Sequence, residues 1–105
     1  PIDRTAPDSM SDTTNTATVT VSNPQGLHMR PADMLVKTAN QFESNITLER
    51  EGQAVDAKSI LGILTLGAVQ GSCLHLKAEG VDAAEAVTTI VALFERGFDE
   101  ADEQP

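Results

Sequence analysis

Tryptophan and tyrosine are absent from the 105 residues, and three phenylalanines are the whole aromatic complement. A core built from this chain must therefore be aliphatic, filled by Leu, Ile, Val and Ala. The single cysteine, Cys73, excludes an internal disulfide. It lies in an alternating, strand-like run with no activating residue beside it, which reads as structural rather than nucleophilic. No apolar run is long enough for a signal peptide or a membrane span, so the expected location is the cytoplasm. Basic residues are also scarce. Seven Lys and Arg stand against sixteen Asp and Glu, a formal charge of −9. Without a basic stripe to neutralise a row of phosphates, nucleic acid and anionic membrane are not expected as partners.

The acidity is concentrated at the ends. Asp3, Arg4, Asp8 and Asp12 contribute −2 and Glu100, Asp102 and Glu103 contribute −3, leaving −4 for the body. Residues 1–16, PIDRTAPDSMSDTTNT, are rich in Ser, Thr and Asp with one isolated Ile, too little apolar surface to offset the entropy of ordering them. They read as a disordered leader, within which Met10 is a candidate start and Pro1 to Ser9 an upstream remnant. Residues 17–100 have the size of one domain with one core. Residues 101–105 read as a solvated acidic tail.

Within the body, Ala17, Val19 and Val21 alternate with Thr18, Thr20 and Ser22, the pattern of a strand with one wet face. After the NPQG turn, Ala32, Leu35, Val36, Ala39 and Phe42 recur at helical spacing. NITLER and QAVDA flank Glu51-Gly52 and read as a hairpin with Ile46, Leu48 and Val55 inward. SILGILTLG is a short apolar segment. SCLHLKA alternates again, with Leu74, Leu76 and Ala78 opposed by Cys73, His75 and Lys77. A last helix begins at Asp82, a favourable cap, and carries Ala83, Ala86, Val87, Ile90, Leu93 and Phe94 on one side. Every strand has one polar face. The order strand, helix, strand, strand, helix, strand, helix thus predicts an α+β open-faced sandwich, an antiparallel sheet with its helices on one side.

PQGLHMRPAD, Pro24 to Asp33, places His28 where a helix is about to begin. Open backbone N–H groups and the positive end of the helix dipole favour an anion there over a cation, which suits a neutral, nucleophilic imidazole. Arg30 falls in the first turn, where its charge is unfavourable unless an acquired phosphate faces its donors. Pro31 gives up no hydrogen bond in that turn, and Gly26 lets the preceding loop turn tightly. The residues together describe a phosphoryl acceptor. The plainer alternative, a polar cap beside a solvated charge, stays open on this physics alone.

GLHMRPAD, LVKTANQFESNITL, VDAKSILGILTLG and AEGVDAAEAV together resemble the histidine-containing phosphocarrier (HPr) family of the bacterial phosphoenolpyruvate:sugar phosphotransferase system, from about Ala17 to Glu100. The resemblance implies four antiparallel strands with three helices on one face. It implies that His28 accepts phosphoryl through Nδ1 from phospho-enzyme I, assisted by Arg30, and passes it to an EIIA domain. On this reading the chain is a stoichiometric carrier, expected to be monomeric and without cofactor or metal. Departures from the family pattern are Met29 in place of a small residue, Gln25 in place of a small polar one and Asp56 where Asn is frequent; Met29 bears on partner preference.

Ser59 precedes ILGIL and reads first as a helix cap. Ile60, Leu61, Ile63, Leu64 and Leu66 offer more apolar surface than one buried face can hide, which leaves Ile60, Leu61 and Leu64 for a docking patch. The resemblance extends to Ser59 a regulatory phosphorylation by HPr kinase/phosphorylase, which would set about two negative charges beside that patch and slow loading of His28. The competing function is a regulatory interaction protein, acting through Ser59 on partners such as a transcriptional regulator. A hydrolase with His28 as general base lacks an evident nucleophile or carboxylate partner. His75, on a wet strand face with no ligand-spaced Cys or His, reads as a surface residue.

Overall fold

The computed structural model describes residues 13–99. They form strand β1 (Thr14–Thr20), helix α1 (Met29–Ala39), the hairpin β2 (Asn45–Arg50) and β3 (Gln53–Asp56), helix α2 (Ile60–Thr65), strand β4 (Cys73–Glu79) and helix α3 (Ala83–Glu95). A short 3-10 turn, Gly97–Asp99, closes the order. The four strands make one antiparallel sheet in the order β1-β4-β2-β3.

Two-residue periodicity explains which face carries the helices. Val19 lies opposite Leu74, Leu48 opposite both Leu76 and Val55, and Ile46 opposite Ala78. Those side chains point to one side and, apart from the half-buried Val55, are fully buried. Thr14, Thr16, Thr18, Thr20, Cys73, His75 and Lys77 point to the other side and are exposed. All three helices pack on the apolar face, with α3 against β1 and β4, and α1 against α2 and α3. Leu35, Ala32 and Ala39 from α1, Ile63 from α2 and Ala83, Ala86, Ile90, Leu93 and Phe94 from α3 complete the core, which is aliphatic, as expected from the composition, except for the buried rings of Phe94 and Phe98. The four-stranded open-faced sandwich expected from the pattern is the observed architecture.

Three local expectations are corrected. The first strand begins at Thr14, inside the stretch assigned to the leader. Backbone pairing with β4 from Thr14 opposite Glu79 onwards, together with Gly80 N donating to Thr13 O at 2.7 Å, orders residues whose side chains bury little. Helix α1 stops at Ala39, short of Phe42. Asn40 Nδ2 takes up the Val36 carbonyl, and tighter bonds from Gln41 N to Thr38 O and Phe42 N to Ala39 O turn the chain, so Phe42 reaches the core from a turn. Asp82 occupies the cap position of α3, but its carboxylate makes no cap bond. It instead accepts from Glu43 N (2.9 Å), Ser44 N (3.0 Å) and Ser44 Oγ, three donors on the α1–β2 connection. The remainder of the leader, 1–12, and the tail, 101–105, lie outside the described residues. No helix among the described residues is long and apolar enough to cross a membrane.

Candidate functional site

The loop from Ser22 to His28 is set by one glycine. Gly26 has φ +72°, and a Cβ there would collide with the carbonyl oxygen of Ala68 and lie 2.9 Å from Val69 Cα. Only a residue without a side chain lets this loop lie against the α2–β4 connection, where Leu27 N donates to Ala68 O at 2.9 Å. His28 N then turns back to Gly26 O at 3.0 Å. The chain arrives at α1 with His28 as its cap residue, in extended conformation at φ −85°, ψ −167°.

The His28 carbonyl accepts the first helical bond, from Ala32 N at 3.0 Å, while its imidazole makes no bond to the helix end. The ring is half-buried at the surface. The first turn contributes the N–H groups of Met29 and Arg30, which have no acceptor four residues back within the helix, and none from Pro31, which is buried against the core. Arg30 is exposed and no acidic side chain shares its turn. The first turn therefore offers oriented amide dipoles beside the cap histidine and carries the Arg30 side chain, features that favour an anion.

Ser59 caps α2 as its position suggested: its backbone is extended, at φ −113°, ψ 115°, and its Oγ accepts from Gly62 N at 3.0 Å. The helix is drawn onto the β2–β3 hairpin by Arg50 Nη1, which donates to Leu66 O at 3.1 Å, and by Gly62, whose missing side chain leaves room for Val55. Ile63 and Leu66 turn inward and are buried. Leu61 is 73% exposed, and Ile60 and Leu64 are half-buried at the core margin. Met29, beside His28, is 58% exposed. Val69, 61% exposed, adds an apolar residue to the connection that touches the His28 loop. The sequence pattern does not reveal that residue, because only the Gly26–Val69 approach, a contact between segments far apart in the chain, puts it there.

The remaining candidates fall elsewhere. His75 projects from the outer sheet face, opposite Thr18 and Glu49, and Cys73 opposite Thr20. A shallow depression of about 400 Å³ on that face is lined by Thr18, Glu49, Ala54, His75 and Lys77, on the side of the sheet away from the helices. Among the described residues no group of three His, Cys, Asp or Glu could hold a metal ion. No residue of the His28 loop lines that depression.

Comparison with known proteins gives the same region a context. The family described as PTS HPr component phosphorylation site matches residues 15–96. The phosphocarrier protein HPr of Xylella fastidiosa (strain Temecula1) is 42% identical over 82 residues, covering 78% of this chain and 92% of the relative. The phosphocarrier protein NPr of Proteus mirabilis is 43% identical over 83 residues, with the same coverage of 78% and 92%. The crystal structure of HPr-C-His from Thermoanaerobacter tengcongensis superposes with a TM-score of 0.79 at 44% identity, covering 81% of this chain and 96% of that one.

Proposed function

Because the chain belongs to the HPr family of phosphocarrier proteins of the phosphotransferase system, we propose that His28 is its phosphoryl acceptor and Arg30 the residue that steadies the acquired phosphate. The observation that carries this reading is the cap position of His28: the imidazole is not spent on the helix end, and the first turn behind it holds amides and a guanidinium with no carboxylate. In the transfer a lone pair of ring nitrogen Nδ1 attacks phosphorus, the bond from phosphorus to the donor's nitrogen breaks, and the reverse attack by the next acceptor releases the ring. The protein's part is electrostatic and positional: helix amides and Arg30 offset the charge carried by the phosphoryl oxygens, and the surface setting lets donor and acceptor proteins approach in turn.

The donor is phospho-enzyme I and the acceptor an EIIA domain, with Met29, Ile60, Leu61 and Leu64 as the apolar rim against which they dock. Relatives named HPr and NPr match equally well, which supports the chemistry common to both, phosphoryl carriage. Incubation with phosphoenolpyruvate and enzyme I is expected to place one acid-labile, base-stable phosphoryl group on the protein and none on His28→Ala. A folded wild-type chain that takes no label from a competent enzyme I rules the reading out.

Ser59 carries a second, regulatory reading. Its oxygen is the cap of α2, next to the exposed Leu61, so a phosphate there would meet the helix amides favourably while charging the docking rim. Ser59→Asp is expected to slow loading of His28 by enzyme I while leaving the fold intact. An unchanged loading rate removes the regulatory assignment and leaves the carrier assignment untouched.

A further inference from the structure

Helix α2 ends without a cation of its own. Its last turn carries no basic residue, although the carbonyls and the negative end of the dipole favour one there. The charge is supplied by a strand. Arg50, the last residue of β2, lies on the same face as Ile46 and Leu48, and its Nη1 donates to Leu66 O, just past the last turn, at 3.1 Å. Its ion pair with Glu51, at 3.8 Å, joins a carboxylate that is largely exposed, so the helix end is the firmer partner. Thr65 Oγ1 donates to Gly62 O at 2.7 Å and closes the same turn from within.

The α2–β4 connection starts from this fixed point and runs to the His28 loop. It reverses at Gly67, φ +60°, and offers the Ala68 carbonyl to Leu27 N at 2.9 Å, one residue before His28. Farther along it is fastened again: Gln70 Nε2 donates to Ser22 O at 3.1 Å, Gly71 N to Val21 O at 2.8 Å and Val21 N to Ser72 O at 2.9 Å. Those later bonds hold the start of the His28 loop. The end of the loop, at Gly26 and Leu27, meets the connection at Ala68 and Val69, close in sequence to the point that Arg50 holds.

We propose that Arg50 is a positioning residue for phosphoryl transfer: by holding Leu66 O it fixes the Ala68 carbonyl, and through Leu27 N the backbone from which the His28 ring projects. This inference rests on the reading of His28 as phosphoryl acceptor. The effect is on the geometry of attack, where a misplacement of about 1 Å is felt in the rate. Docking is spared, because the Ser59 cap and the buried Ile63 keep α2 and its exposed Leu61 in place.

The test compares Arg50→Met and Arg50→Lys with the wild-type chain. Initial rates of labelling by enzyme I and phosphoenolpyruvate are measured over a range of protein concentrations at matched folded fractions. Arg50→Met is expected to lower kcat by about three- to tenfold with KM changed by less than about twofold, a split that a general loss of stability does not produce at matched folded fractions. Arg50→Lys keeps a charged donor and should recover at least half of the lost rate. Amide hydrogen exchange, read without enzyme I, should be about three- to tenfold faster at Leu27 in Arg50→Met, beyond any change at Leu76 in the middle of the sheet. A loss confined to KM, a loss that disappears at about 0.5 M salt as long-range steering would, no rescue by lysine, or a Leu27 amide that merely follows Leu76 overturns the proposal. A wild-type chain that never takes label removes the acceptor reading and the role of Arg50 with it. A labelled wild type whose kcat Arg50→Met leaves unchanged overturns this proposal alone.

Discussion

Gly26 shows how much of the site depends on a residue with no chemistry of its own. Two separate costs attach to a methyl group at this position: the left-handed backbone at φ +72°, and contact with the Ala68 carbonyl and Val69 Cα, which are backbone atoms that cannot swing aside. Gly52 shares the first cost, at φ +88°, but a Cβ there meets nothing within 4 Å. Gly52→Ala is therefore expected to cost about 1 kcal/mol and Gly26→Ala at least about twice that. For a domain of this size each kcal/mol lowers Tm by about 4–8 °C, so the two variants should separate clearly in thermal melts. Equal melting temperatures would mean that the loop yields at Ala68 and does not position His28. A tight turn at Gly26 is legible in the sequence alone. The close backbone neighbour at Ala68 that makes glycine obligatory is not, because it comes from a distant part of the chain.

At the level of elements, the connections are held as firmly as the core. Asp82 joins the β4–α3 connection to the α1–β2 connection through Ser44 and Glu43. The Ser44 hydroxyl first, and then the Glu43 amide, hold its carboxyl below the ordinary value of 3.8. A carboxyl depressed in the folded state stabilises the fold above its unfolded pKa, and that contribution disappears as pH falls through the folded value. Asp82→Asn should thus be less stable than wild type in urea at pH 7, and the gap should narrow below about pH 4. A gap that stays constant down to about pH 2.5, well below the ordinary carboxyl range, would show that the clasp is not electrostatic. The sequence places Asp82 correctly at a helix start but points its carboxylate to the wrong amides, because the competing donors lie on another connection, at Glu43 and Ser44. Helix α2 divides its own surface in the same way. Ile63 is fully buried and Leu61 largely exposed, so Ile63→Ala should lower stability by about 2–4 kcal/mol, while Leu61→Glu should change it by less than about 0.5 kcal/mol. Only Leu61→Glu is expected to slow transfer beyond what its stability explains, measured as the initial rate of labelling by enzyme I at matched folded fractions.

For the molecule as a whole, the two faces of the sheet have different duties. Alternation of Leu74, Leu76 and Ala78 with Cys73, His75 and Lys77 is readable because a strand repeats every two residues, and it assigns each side chain to the correct face. The packing of all three helices on one side follows from burying that single apolar face, whereas the strand order β1-β4-β2-β3 does not, because any order of the four strands would bury it. What the pattern does not carry is the turn after α3, where Phe98 packs edge-on to Phe94 and the Gly97 carbonyl accepts from Asn23 Nδ2, and the start of β1, which is ordered by backbone pairing and not by apolar side chains. The faces also separate the two histidines. His28 caps the start of α1, whose first turn includes Arg30; His75 stands on the outer face opposite Glu49 of the neighbouring strand, whose carboxylate would repel a phosphoryl group. His75→Ala should therefore still gain one phosphoryl equivalent at the wild-type rate by intact mass, whereas His28→Ala gains none. A halved stoichiometry or a slowed rate in His75→Ala would mean that the outer face takes part in transfer, and the division of labour between the faces would have to be abandoned.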